Sequence, residues 1–159
     1  MLSIDFLEKS ELFKGLNDDQ LTAVQTCCQE KEFRRGEMIF GKDQSVGDLY
    51  IVLEGQVDLR FDMPGRPTSD KNTISSVSEA AVFGWSSFVP PYKTTLSAYC
   101  TKSSKVVLMK REELLKLFDK DPRIGYVVTS NLAKVVGKRF HRIQDEIVSR
   151  RGHDMMFDW

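Results

Sequence analysis

Gly47-Asp48-Leu49-Tyr50-Ile51-Val52-Leu53-Glu54-Gly55-Gln56-Val57-Asp58-Leu59-Arg60-Phe61 is the stretch that decides the fold. Leu49 to Leu53 is an apolar run of strand length. Glu54-Gly55 reads as a tight turn. Val57, Leu59 and Phe61 then alternate with Gln56, Asp58 and Arg60, the period-two pattern of a strand. The stretch reads as strand, tight turn and next strand.

The same texture extends in both directions. Phe33 is followed by an Arg35-Gly36 turn and then by Met38-Ile39-Phe40. Downstream, Met63-Pro64-Gly65-Arg66-Pro67 opens a polar loop that runs to Asn72. Thr73 to Val77, Leu96 to Cys100 and Val106 to Met109 are further strands. Short strands at close spacing with Gly, Pro and Asp turns predict an antiparallel barrel or jelly roll. A βαβ arrangement fails, because no helix-length segment separates these strands.

Helices are expected on either side. Ile4, Phe6, Leu7, Leu12 and Phe13 form a broken apolar stripe. Asn17 is an N-cap, with Asp18 and Asp19 in the positive first turn and Leu21, Val24 and Cys28 on one face. Two or three short helices are expected before about residue 28. Arg111 to Phe118 forms a short amphipathic helix, and Pro122 suits the first turn of a long one. Val128, Leu132, Val136, Phe140, Ile143 and Ile147 recur in steps of three and four along it. The expected fold class is therefore α+β: a jelly-roll barrel (double-stranded β-helix) flanked by short N-terminal helices and a long C-terminal helix. One domain covers residues 1–151 with that helix at about 120–149, and 152–159 form a short apolar tail.

Composition narrows the function. The 159 residues are 41% hydrophobic and 29% charged, which suits a folded soluble chain. Lys+Arg and Asp+Glu are both 23, so the charge is balanced, which weakens a polyanion-binding role. No run of about 18 apolar residues exists, so no membrane insertion is expected. Met1 to Phe13 lacks the basic and small-residue features of a secretory signal. Cys27, Cys28 and Cys100 are an odd set that suits a reduced, cytoplasmic protein, and their spacing holds no iron–sulfur cluster. His141 and His153 lie outside the barrel and match no zinc spacing, so neither a metal site nor a catalytic base emerges. The chain reads as no enzyme.

Three pieces carry a family resemblance. Phe33-Arg34-Arg35-Gly36-Glu37-Met38-Ile39-Phe40 is similar to the first barrel strands of cyclic nucleotide-binding domains. Gly47 to Val57 resembles that family's strand, Gly turn and strand. Phe83-Gly84-Trp85-Ser86-Ser87-Phe88-Val89-Pro90-Pro91-Tyr92-Lys93-Thr94-Thr95-Leu96-Ser97-Ala98 resembles its phosphate-binding cassette. The cassette resembles the divergent versions in the wider catabolite-activator and fumarate-nitrate-regulator superfamily, whose effector domains this chain is similar to, without the DNA-binding domain.

The resemblance implies a ligand site at Gly84, Trp85, Ser86, Ser87, Tyr92, Lys93, Thr94 and Thr95. In the family, a Glu follows the Gly and accepts from the ribose 2′-OH, and an Arg pairs with the cyclic phosphate. Here Trp85 stands at the Glu position and Tyr92 at the Arg position, with Lys93 one residue later. Losing both partners implies a weakening of about 10²-fold or more. The expectation is a stand-alone sensor module with a degenerate cassette, not a standard cAMP or cGMP receptor. Two alternatives stay open. One is a cyclic nucleotide or other small anionic ligand held by Lys93 and the cassette amides. The other is a ligand-free protein–protein interaction module with Trp85 filling the pocket. The resemblance also implies a homodimer along Val128, Leu132, Val136, Phe140, Ile143 and Ile147. Only eight residues follow Arg151, so direct sequence-specific DNA binding is not expected.

Overall fold

The computed structural model describes residues 2–45 and 47–157, with Phe157 as backbone only. Asp158 and Trp159, part of the expected tail, lie outside the described residues.

Helices α1 (Ile4–Lys9) and α2 (Asp18–Gln25) open the chain, with a 3-10 turn at Glu11–Phe13 between them. Asn17 caps α2 through a full capping box: its side chain accepts from Gln20 N–H, and the Gln20 side chain accepts from Asn17 N–H. The helix stops at Gln25. Cys28, expected on its apolar face, instead begins strand β1 (Cys28–Phe33). The strands that follow are β2 (Met38–Phe40), β3 (Asp48–Glu54), β4 (Val57–Arg60), β5 (Thr73–Val77), β6 (Val82–Phe83), β7 (Ser97–Cys100) and β8 (Ser104–Lys110). Helix α3 (Arg111–Lys120) and helix α4 (Pro122–Phe157) complete the described chain.

The strands make two four-stranded antiparallel sheets, ordered β1-β8-β3-β6 and β2-β7-β4-β5. In the first, Cys28 pairs with Met109 and Leu49 with the same Met109 from the other side. This is the jelly roll, with helices added at both chain ends. The apolar run of β3 now has a physical reason. Leu49 and Ile51 face a core shared with Leu7, Leu12, Phe13, Leu21, Leu114 and Ile124 of the helical layer. Tyr50 and Val52 face the second core, between the sheets, with Phe40, Leu59, Phe83 and Ala98. A strand sandwiched between helices and a second sheet has no polar face to show.

Helix α4 is anchored at its start. Asn131 is buried, and its Nδ2 donates to Leu12 O and Lys14 O, both at 2.9 Å. Val128 and Leu132, expected on a dimer seam, are instead buried in the chain's own core. The helical layer covers those turns before a partner reaches them. After Val135, no described side chain of α4 is buried. At 36 residues the helix is about 54 Å long, and its outer half touches the sheets through Arg139 and Arg142. It also runs past the expected end near residue 149, so residues 152–157 belong to the helix and form no separate tail.

Candidate functional site

The β6 strand leads straight into the cassette. Gly84 takes φ +81°, and a Cβ there would sit 2.9 Å from the Tyr50 ring and 3.2 Å from Asp48 O. Glycine is therefore required both for the backbone angle and for the close approach to β3. A 3-10 turn, Trp85–Phe88, follows. Ser87 is buried and its hydroxyl donates back to Gly84 O at 2.9 Å, closing the turn. Phe83 anchors the entry: its ring stacks on Tyr50 at 5.0 Å and lies 6.1 Å from Phe40. Burial, helped by Asp48, pushes the Tyr50 hydroxyl up to about 12, so it stays protonated as a donor to Asp48.

Gly84, Trp85, Ser86, Thr94 and Thr95 line one cavity. Phe40, Leu59 and Leu96 complete its wall. Ser87, Tyr92 and Lys93 are not among the lining residues. The cavity measures about 40 Å³. That is space for a few waters, whereas small-molecule clefts run to about 300–1,000 Å³. Trp85 is half-buried and packs against the helical core.

Thr94 closes the rim. It is buried, and its hydroxyl donates to Gly41 O (2.5 Å) and accepts from Gln44 N–H (3.0 Å). Its backbone adds Asp43 N–H to Thr94 O (2.9 Å) and Thr94 N–H to Gln44 O (3.0 Å). The β2–β3 loop is thereby pinned over the cassette exit. Thr94→Val keeps the shape and removes the hydroxyl, leaving Gln44 N–H and Gly41 O each short of a partner. A loss of about 1–3 kcal/mol is expected in urea denaturation, with an unchanged m-value.

Tyr92 does not enter the cavity. It has φ +60° and is 40% exposed, and the Arg111 guanidinium lies 4.2 Å over its ring. Arg111 also donates to Ser87 O at 3.3 Å, so it ties the cassette to the start of α3. Sequence reading missed Arg111, because nothing in the spacing joins residue 111 to residues 87 and 92. Lys93 is exposed, in a single antiparallel bridge with Ser45.

A second, larger concavity lies between the end of the cassette turn and α4. Phe88 and Val89 face Leu132, Val136, Gly137 and Phe140 of α4 across an apolar groove of about 500 Å³. Among the described residues, no three His, Cys, Asp or Glu side chains gather as a metal site, and no helix is long and apolar enough to cross a membrane. The three thiols are free and partly or wholly buried; burial pushes Cys28 up to about 12, which keeps it protonated.

With the fold and cavity in place, the class of protein follows from comparison. Residues 30–121 match the model of the cyclic nucleotide-binding domain, so the chain belongs to that family. A solved structure from Geobacter metallireducens GS-15, named for cyclic nucleotide binding, is 32% identical, covers 89% of this chain and 100% of its own, and superposes with a TM-score of 0.74. A cyclic nucleotide-binding domain from Methylobacillus flagellatus KT reaches a TM-score of 0.79 at 20% identity, over 92% of this chain and 81% of its own. The CRP-like cAMP-activated global transcriptional regulator of Mycobacterium tuberculosis is 24% identical over 145 residues, 90% of this chain. The chain spans 61% of that regulator's length.

Proposed function

We propose that the chain is a non-catalytic regulatory module whose cassette is degenerate and does not serve as a standard cAMP or cGMP receptor. One observation carries this reading. The cavity at the cassette is about 40 Å³, with Trp85 in its wall where the family's pattern has an acid, and Tyr92 turned outward under Arg111. No carboxylate meets a ribose there, and no guanidinium lines the wall. Trp85, Ser86, Thr94 and Thr95 are left to contact whatever enters. The free cysteines support a cytoplasmic location.

Calorimetry with cAMP and cGMP tests it. The dissociation constant is expected to be weaker than about 100 µM, a binding free energy smaller than about 5.5 kcal/mol. A saturable, tighter response overturns the reading in favour of a true cyclic nucleotide receptor using Lys93 and the cassette amides. The narrow cavity also supports a second reading, a ligand-free interaction module plugged by Trp85. Small organic anions that shift Trp85 fluorescence in a Trp159→Phe background separate the sensor from the plug.

The module acts as a homodimer through the outer half of α4. Phe140 is 58% and Ile147 47% exposed, and Val136 and Ile143 are half-buried. Their steps of three and four make a coiled-coil seam.

A further inference from the structure

Helix α4 meets the cassette on both flanks. At the end of the cassette turn, Phe88 and Val89 form one wall of the apolar groove and α4 the other. Before it, Arg139 Nη2 donates to Val82 O in β6, two residues ahead of Gly84. The polar contact is specific in direction, whereas the groove is adaptable.

The strand that Arg139 contacts lies at the edge of its sheet. β6 is two residues long and pairs with β3 through Tyr50↔Phe83 and Ile51↔Val82, and the residues just ahead of it add Ala80 N–H to Val52 O (2.8 Å) and Val52 N–H to Ala81 O (3.1 Å). One turn further along α4, Arg142 Nη2 donates to Ile74 O at 3.3 Å. Ile74 lies in β5, the edge strand of the other sheet. Neighbouring arginines of a single helix face thus tie down an edge of each sheet. An arginine suits this task, because its planar fork reaches a carbonyl while a second nitrogen stays available.

That second nitrogen is informative. Arg139 Nη1 is buried and has no hydrogen-bond partner among the described residues. Burial also lowers the Arg139 pKa. A buried donor without an acceptor disfavours the arrangement that contains it, and it supplies a ready bond for a shifted one.

We propose that Arg139 is a latch: its bond to Val82 O couples the position of β6 and the cassette to the outer half of α4, so that neither shifts without the other. Arg139 does not line the cassette cavity. It is a positioning residue that acts through β6.

Hydrogen exchange of the whole chain, with no ligand added, tests the latch. In Arg139→Met, residues 80–90 and 136–147 are expected to exchange about ten-fold faster, both together, while residues 106–109 and 124–132 keep the parental rates. Arg139→Lys, which keeps a charged donor, is expected to remain within about three-fold of the parent. A uniform rise across the chain would mean lost stability alone and overturns the latch. So does a rise in only one of the two segments, or no change. If Arg139→Met does not fold, the parent protein carries the same test. Its two segments should open with one shared temperature dependence, and separate dependences overturn the coupling. The latch rests on reading the cassette as the sensing element. Because exchange is read without ligand, failure of the latch leaves the calorimetric test of that reading untouched.

Discussion

Gly55→Ala is expected to destabilise the protein by about 2–5 kcal/mol, a large part of the stability of an ordinary domain. Gly55 makes the turn between β3 and β4 at φ +95°. The left-handed region costs an L-residue about 1–2 kcal/mol. Space is the larger problem. A Cβ would lie 2.3 Å from Ser104 Oγ, 2.8 Å from Ser103 O and 2.8 Å from Ser104 Cα. Two of those three atoms are backbone or bonded directly to it, so no rotamer change relieves the clash. Ser104 is also busy, since its hydroxyl accepts from Gln56 N–H at 3.1 Å and donates to Lys102 O at 2.8 Å. Moving it breaks the contact between the β3–β4 turn and the start of β8. Chemical denaturation followed by circular dichroism reads the effect as a lowered midpoint. A midpoint shift worth less than about 0.5 kcal/mol, the size of an ordinary surface change, would show that the turn relaxes freely.

Phe140→Asp is expected to convert a dimer into a monomer, with the dissociation constant rising about 10²–10³-fold. Phe140 lies at the centre of the outer stripe, between the half-buried Val136 and Ile143, and is 58% exposed in the single chain. Two-fold symmetry places the substitution twice in one seam. Each copy loses aromatic burial, worth about 1.5–3 kcal/mol, and adds a carboxylate with no partner. Because the chain's own core does not use Phe140, the monomer is expected to keep its fold and melting temperature. Sedimentation at several concentrations reads both outcomes. A parent that is monomeric at high concentration removes the dimer, and a variant that stays dimeric moves the seam elsewhere on the molecule.

Much of this architecture was legible in the residues. The Gly55 turn from β3 to β4, the Asn17 cap and the Pro122 helix start each rest on local chemistry, and local chemistry is what a sequence displays. Strand β1 was not legible. Gln29, Glu30, Lys31 and Glu32 are all exposed on an edge strand, so no alternation marks it, and Cys28 was drawn into the preceding helix. Strand β6 is too short to show any period. Helix α4 ran past its expected end because Gly152 alone does not stop a helix lacking a following proline.

The site divides in the same way. The cassette segment and its departures at Trp85 and Tyr92 could be read directly. The contact of Arg111 with Tyr92, and that of Arg139 with Val82, join residues far apart in the chain, and no spacing rule announces them. The burial of Val128 and Leu132 follows from the Glu11–Phe13 turn and α3 packing over the start of α4, which a stripe read along one helix does not reveal.

The pairing of Cys28 with Met109 bears on how the chain is born. The first strand waits for the last strand of the jelly roll, so its sheet cannot close until Lys110 has cleared the ribosome tunnel. Until then the Leu49–Leu53 run lacks its central neighbour and presents a sticky ribbon to the cell. Such long-range closure makes for slow folding, in milliseconds to seconds rather than microseconds. Holdase chaperones are expected to meet the nascent chain in that interval.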